Sequence, residues 1–116
     1  MTMSSDERAA LLARYRDGAA EFEAAVADVA DAELDAHPIE GEWSVREIAH
    51  HLADGELMSA IRLRRLIAED DPLIVGYEER TFTDRLHSTE RPIVTSLAAA
   101  ASARASTLTI LECLSD

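Results

Sequence analysis

Two adjacent histidines, His50 and His51, are the residues best suited to chemistry in this sequence. An imidazole can bind a metal ion or transfer a proton near neutral pH. With about 100° between successive residues of a helix, His51 shares one side with Gly55 and Arg62, whereas His50 points nearly opposite. We therefore predict that His51 reaches a half-buried cleft and that His50 meets solvent or another packing surface. The alternative for His51 is a hydrogen-bonded structural histidine at the edge of the core.

The helix that carries these histidines has a clear start signal. Ser44 and Glu47 have the spacing of a capping box, in which each side chain bonds the backbone N–H of the other residue. Trp43 and Ile48 have the spacing of a hydrophobic staple, which would fold the indole over the first turn. The sequence predicts a helix over residues 44–69. Its apolar arc should face the core and comprises Val45, Ile48, Leu52, Leu63 and Leu66.

Further polar side chains lie on the same helix. If His51 bound a metal ion, Asp54, Glu56 and His50 would be weak auxiliary ligands. His50 cannot face the same ion as His51, because helix neighbours at i and i+1 point in different directions. Arg62 falls near the His51 side, three turns further on. Its guanidinium could bind an anionic substrate, since it pairs carboxylates through two hydrogen bonds. The alternative for Arg62 is a salt bridge to one of the many acidic residues.

The remaining pattern is helical as well. Residues 31–43 read as a connection with one short turn, and Leu73-Ile-Val75 reads as a loop packed over the end of a helical bundle. Tyr77 begins a short helix whose Phe82 and Leu86 should pack inward. Three more helices are predicted: residues 5–30, capped by Ser4 and Glu7; residues 77–86; and residues 89–114, with caps at Ser88 or Thr89, Pro92 in the first turn and a core face of Ile93, Leu97, Ala101, Leu108 and Leu111.

The amino-acid composition limits the cellular location and the binding partners that we expect. The 116 residues suffice for one domain, and the formal charge of −12 argues against nucleic acid and anionic membranes as partners. The single cysteine, Cys113, excludes an internal disulfide and fits a reducing compartment. The acidic start is not a signal peptide, and no apolar run approaches transmembrane length. The sequence therefore predicts a cytoplasmic protein.

The segment Trp43-Ser-Val-Arg-Glu-Ile-Ala-His-His-Leu-Ala-Asp54 resembles the second-helix signature of the DinB superfamily, and its YfiT-like branch of metal-dependent hydrolases most closely. That branch is related to bacillithiol and mycothiol transferases. The resemblance continues through Arg62-Leu-Arg-Arg-Leu-Ile-Ala-Glu-Asp-Asp-Pro72 and into Gly76-Tyr-Glu-Glu79. It covers roughly residues 5 to 114 and is strongest from 38 to 86.

The resemblance implies an up-down-down-up four-helix bundle with a divalent metal, zinc or nickel, held by three histidines. The second-helix ligand falls on His51, and Tyr77 would line the cleft. Such a metal would activate water or a thiol by lowering its pKa. The substrate would be a small molecule or a thiol cofactor, whose carboxylate Arg62 could bind.

This sequence departs from the family pattern at one point. The family carries a His-x-x-x-His pair on its fourth helix, and the 116 residues contain no such pair. We therefore predict a bundle of residues 1–116 truncated to three long helices and a short one, with an incomplete metal site. We also predict a homodimer, formed through the face that a fourth helix would cover. The alternative function is a non-catalytic domain that dimerises through this face as a structural or binding module.

Overall fold

The computed structural model describes residues 2–115 and arranges them in four α-helices without strands. The predicted all-α class, with three long helices and a short one, is confirmed. Helix α4 packs against both α1 and α2, and α3 packs on α2. A 3₁₀ turn over Asp31–Glu33 lies between the first two long helices. The helices are α1 (Ser5–Ala27), α2 (Val45–Ala68), α3 (Glu79–Arg85) and α4 (Val94–Cys113).

Both predicted capping boxes form. At α1, Ser4 and Glu7 exchange side-chain bonds with each other's backbone N–H groups. At α2, the Ser44 hydroxyl accepts from the Glu47 N–H at 3.2 Å, and the Glu47 carboxylate accepts from the Ser44 N–H at 3.1 Å. Both residues of the second box are buried. This buried box fixes where α2 begins and therefore which way its histidines point.

The buried face of α2 differs from the predicted one. Small residues, Ala49, Ala53 and Ala60, form its apolar part. Leu52 and Leu66, which were expected in the core, are exposed. The predicted arc is therefore wrong at these positions, because large apolar side chains are not the ones that α2 buries. Alanine permits close approach of a neighbouring helix, and α4 is the helix that packs there.

The chain between α3 and α4 also departs from expectation. Helix α4 begins at Val94 rather than near 89, and neither Ser88 nor Thr89 caps it. His87 adopts a left-handed conformation with φ of 57°. The His87 carbonyl accepts from the N–H groups of Glu90 and Arg91, which closes a separate turn before the helix. Ser88 is completely buried inside this turn.

Helix α3 is shorter than predicted and starts after a side-chain cap. The Glu78 carboxylate accepts from the Arg80 N–H at 3.1 Å. Phe82 contacts Tyr77, with ring centroids 4.6 Å apart, whereas Leu86 is exposed instead of packed inward. The preceding Leu73–Val75 segment is a loop, as expected. It does not pack over the end of the bundle as predicted, because all three of its side chains are exposed among residues 2–115.

Helix α4 corrects one expectation about hydropathy. Among residues 2–115 it is the one helix long and apolar enough, by composition, to cross a membrane, with a mean hydropathy of 1.2 over its best window. Its alanines raise this average although its large apolar residues are few. It packs against α1 and α2, and 17% of this window is buried in the part of the chain that the structure describes.

Candidate functional site

His50 is a buried structural residue at the contact of α2 with the start of α4. Its side chain is completely inaccessible to solvent. A carbonyl can only accept, so the Nε2–H of His50 donates to the Arg91 carbonyl at 2.9 Å, and Nδ1 accepts from the Ser96 hydroxyl at 2.6 Å. Burial lowers the pKa of His50 below its usual range, against a smaller upward effect of the Arg91 bond. Both ring nitrogens are thus engaged in a neutral imidazole.

His51 lies on the other side of the helix and lines a cleft of about 470 Å³ between α1, α2 and α4. Its side chain is 21% exposed. Within residues 2–115 no hydrogen bond engages its ring, and its nearest charged neighbour is Glu79, whose Oε2 lies 3.9 Å from Nε2. Two adjacent residues of α2 therefore place one imidazole in a fully hydrogen-bonded site and the other at an open cavity, as the helix geometry predicted.

Aromatic and charged side chains hold the His51 ring in place. The Trp43 ring centroid lies 4.6 Å from that of His51 at a tilt of 52°. The Arg80 guanidinium lies over the Trp43 ring at 5.0 Å from its centroid. Trp43 and Ile48 also line a common surface depression at the start of α2. The sole tryptophan thus connects the helix start, the short helix α3 and the candidate ligand.

Tyr77 reaches the same cleft, as the resemblance implied. A Cβ at Gly55 would lie 3.3 Å from the Tyr77 hydroxyl, so the glycine leaves room for the phenol. Burial raises the pKa of Tyr77, and the nearby Glu79 and Asp54 carboxylates raise it further. The hydroxyl therefore stays protonated at neutral pH and can donate a hydrogen bond into the cleft.

A buried ion pair closes one part of the cleft. Arg104 of α4 donates to the Glu56 carboxylate of α2 at 2.6 Å, and the Tyr15 hydroxyl of α1 donates to the same carboxylate at 3.2 Å. The Arg104 guanidinium also stacks over the Tyr15 ring at 4.7 Å. Gly18 leaves room for this arginine, because a Cβ there would lie 2.7 Å from Arg104 Nη1 and the guanidinium would have to shift. The network ties three helices together and occupies Glu56, a predicted auxiliary ligand.

Arg62 lies in the cleft and differs from Arg104 in its partners. Its guanidinium donates to the Val75 carbonyl at 3.1 Å and lies 5.6 Å from the Tyr77 ring centroid. No ion pair joins it to a carboxylate in the part of the chain that the structure describes. The alternative of a structural salt bridge is therefore wrong for the described residues.

Asp54 lies outside the residues that line the cleft. Its Oδ2 is buried and has no hydrogen-bond partner in residues 2–115. Burial raises the pKa of Asp54, and the positive Arg91 and the two histidines lower it in part. As an auxiliary ligand it would have to reorient, so its role stays a prediction.

Comparisons with known proteins agree with this fold. A family profile described as the DinB superfamily matches residues 14–116. A protein of Oceanobacillus iheyensis named "Putative metal-dependent hydrolase" is 38% identical over 72 residues, which cover 62% of this chain and 41% of that protein. "Putative metal-dependent hydrolase YfiT" of Bacillus subtilis is 35% identical over 65 residues, which cover 56% of this chain and 36% of that protein.

A solved structure shows the same architecture. It is that of YfiT from Bacillus subtilis, described as "a probable metal-dependent hydrolase with an unusual four-helix bundle topology". The TM-score is 0.90 at 27% identity, over 99% of this chain and 66% of that chain. The fold and the histidine-lined cleft thus define a helical-bundle protein of the YfiT-like kind. This chain belongs to the DinB superfamily. It matches about two fifths of the length of its curated relatives.

The metal that these names imply requires a set of ligand side chains at the cleft. Within residues 2–115 no group of three His, Cys, Asp or Glu side chains is arranged to hold a metal ion. His51 and Glu79 provide one imidazole and one carboxylate, whereas a catalytic zinc site takes about three protein ligands. The described residues of a single chain therefore do not complete a metal site.

Three features of the cleft escaped the sequence reasoning. The sequence did not predict that Glu79 lies beside His51, because it does not indicate where α3 lies relative to α2. The Glu56–Arg104 pair joins residues 48 positions apart, and no local pattern reports such a pairing. Gly18 is a further feature, because a glycine inside a helical pattern can indicate a close approach of a neighbouring element.

Proposed function

We propose that the chain is a YfiT-like metal-dependent enzyme component, of the hydrolase or bacillithiol/mycothiol S-transferase class, in which His51 is a metal ligand. Zinc and nickel, the metals that the family resemblance implies, are among those that imidazole ligands suit. The remaining ligands would come from a second copy of the chain or from sequence outside these residues. The names of the relatives support a metal-dependent role, and the cytoplasm would be its location.

One observation carries this proposal. His51 combines access to the cleft with a ring that has no hydrogen bond within residues 2–115. The other histidines differ. His50 uses both nitrogens internally, His37 bonds the Glu42 carbonyl at 2.9 Å in an exposed loop, and His87 is exposed beside Glu90. A metal ligand needs a free nitrogen in a partly enclosed site, and His51 meets that requirement.

Paramagnetic Ni²⁺ provides a local test. Titrated into the protein, Ni²⁺ should broaden the indole N–H resonance of Trp43, because the Trp43 and His51 ring centroids are 4.6 Å apart. We expect weak binding by the isolated chain, since one imidazole does not fix an ion. His51→Ala should abolish the broadening at Trp43.

His87→Ala is the matched control, because it removes an exposed histidine far along the chain from Trp43. It should leave the broadening unchanged. Broadening of Trp43 that survives in the His51→Ala variant would contradict the proposed ligand. Tight one-to-one binding by a verified monomer would instead show that further ligands exist within this chain.

The second candidate is a homodimerising module without catalysis. The observation that favours it is the exposed apolar side of α2, where Leu52 is 42%, Leu66 53% and Ile67 42% exposed. Apolar patches of more than a few hundred Å² usually mark association surfaces. A two-fold dimer would bury one such patch twice.

Sedimentation velocity tests this alternative. The formal charge of −12 opposes association, so salt should promote it by screening. Leu66→Arg should shift the equilibrium towards the monomer, whereas Leu73→Arg, in an exposed loop, should not. A stable monomer at high protein and high salt would contradict the dimer.

A further inference from the structure

We infer that Arg62 is the anion-recognition residue of the cleft and that the ligand is an elongated molecule with an apolar body and a terminal carboxylate. The inference deepens the proposed function, because it concerns the substrate class of the His51 cleft. It does not require a bound metal, since Arg62 lies at a distance from His51.

The guanidinium of Arg62 is incompletely satisfied. Its one hydrogen bond to another residue within 2–115 goes to the Val75 carbonyl at 3.1 Å. Its Nε is buried from solvent and lacks an acceptor among these residues. Five N–H donors on a fixed fork favour a bidentate acceptor such as a carboxylate. The Tyr77 ring beneath it, at 5.6 Å, limits how the fork can turn.

The absence of a carboxylate partner is informative because acids are abundant. The chain has 23 Asp and Glu residues against 11 basic ones. In the same cleft, Arg104 is neutralised by Glu56 at 2.6 Å. Arg62 has no equivalent within the described chain, although Glu79 lines the cleft at the His51 end. An anion that enters the cleft therefore meets positive charge at Arg62, which has no carboxylate partner in the described chain. It meets negative charge at Glu79 and at Glu23, which also lines the cleft.

The spacing and the walls indicate the ligand's shape. Arg62 follows His51 by 11 residues on one helix, a rise of about 16 Å along the axis. Apolar side chains line the cleft between these ends, among them Phe22, Leu52 and Leu97. A carboxylate at Arg62 would thus leave an apolar chain directed along α2 towards His51. A compact anion such as inorganic phosphate does not suit this arrangement.

The test compares hexanoate with hexanamide, which share an apolar chain and differ in charge. Binding to the full chain is followed by two-dimensional NMR titration without added metal. Wild-type protein should bind hexanoate about tenfold more tightly than hexanamide, the ratio of one charge-assisted contact. Arg62→Gln should remove this preference, and Arg62→Lys, which keeps the charge without the fork, should retain part of it.

Arg65→Gln is the matched control, because Arg65 lies on the same helix but pairs with Glu69 at the surface. It should keep the full preference for hexanoate. Equal binding of the two probes, binding of neither, or a preference that survives in Arg62→Gln would overturn the inference. The Ni²⁺ experiment at His51 is independent of these outcomes, so failure of one proposal is distinguishable from failure of the other.

Discussion

The two sides of α2 contain the same residue types in opposite states of hydrogen bonding. On the side that faces α4, His50 is buried and both of its nitrogens are bonded. On the cleft side, His51 and Arg62 retain unused nitrogen groups within the described chain. Arg104 belongs to the first kind, because Glu56 neutralises it. Residue type therefore does not distinguish a structural side chain from a candidate binding side chain. The distinction lies in whether its nitrogen groups already have hydrogen-bond or ion-pair partners.

The largest contrast should come from the two histidines. His50→Ala should destabilise the fold by roughly 4 kcal/mol, because it leaves a cavity and two unpaired polar groups. His51→Ala should cost less than about 1 kcal/mol, since its side chain is partly exposed. Urea denaturation of both variants measures the difference. Equal losses would mean that His51 is structural as well.

The two cleft arginines provide the next contrast. Arg104→Ala should cost about 2 to 3 kcal/mol, because it leaves the Glu56 carboxylate buried without its partner. Arg62→Gln should cost under about 1 kcal/mol, since it breaks no ion pair in the described chain. Thermal unfolding at fixed pH measures both. A larger loss for Arg62→Gln would assign Arg62 a structural role.

The capping boxes should differ by burial. Ser44→Ala should cost about 1 kcal/mol, since it leaves a buried N–H without an acceptor and loosens both sides of α2. Ser4→Ala removes the same geometry at an exposed helix start and should cost about half as much. Paired denaturation curves decide. No measurable loss for Ser44→Ala would contradict the role of this box in positioning the histidines.

The smallest effect should be a pH dependence that belongs to His50. Its pKa is lowered in the folded state, mainly by burial. The hydrogen bond to the Arg91 carbonyl and the Asp54 charge oppose this effect, and the positive charges of Arg91 and Arg46 add to it. The unfolded chain therefore takes up a proton first, and stability should fall as pH drops below about 6.5. Between pH 7.5 and 5.5, His51→Ala should keep this loss and His50→Ala should lack it. Identical curves would refute the assignment.

Much of the fold was predictable because its signals are local. The Ser44–Glu47 box located the start of α2 within one residue, and the helix rotation then separated His50 from His51. The core was less predictable. Leu52 and Leu66 satisfy the helical period, yet Ala49 and Ala53 are buried, because the neighbour's approach distance decides which face packs.

The candidate site was predictable only in part. Arg62 and Tyr77 were expected near His51, through helix rotation for the first and through the family resemblance for the second. Glu79 and the Glu56–Arg104 pair depend on how α3 and α4 pack, which no spacing along one helix contains. The predicted start of α4 was wrong for a similar reason. The turn at His87 uses backbone N–H donors of residues that the prediction placed in the helix.

The position of Trp43 gives the molecule an internal optical reporter. It is the sole tryptophan, and its ring lies against His51 and beneath Arg80. Indole emission responds to a neighbouring imidazolium, to metal ions that quench it and to a change in local polarity. Tryptophan fluorescence of the unlabelled protein therefore observes a single place, the surroundings of the His51 ring. Events there can be followed in real time without adding a dye or altering a residue.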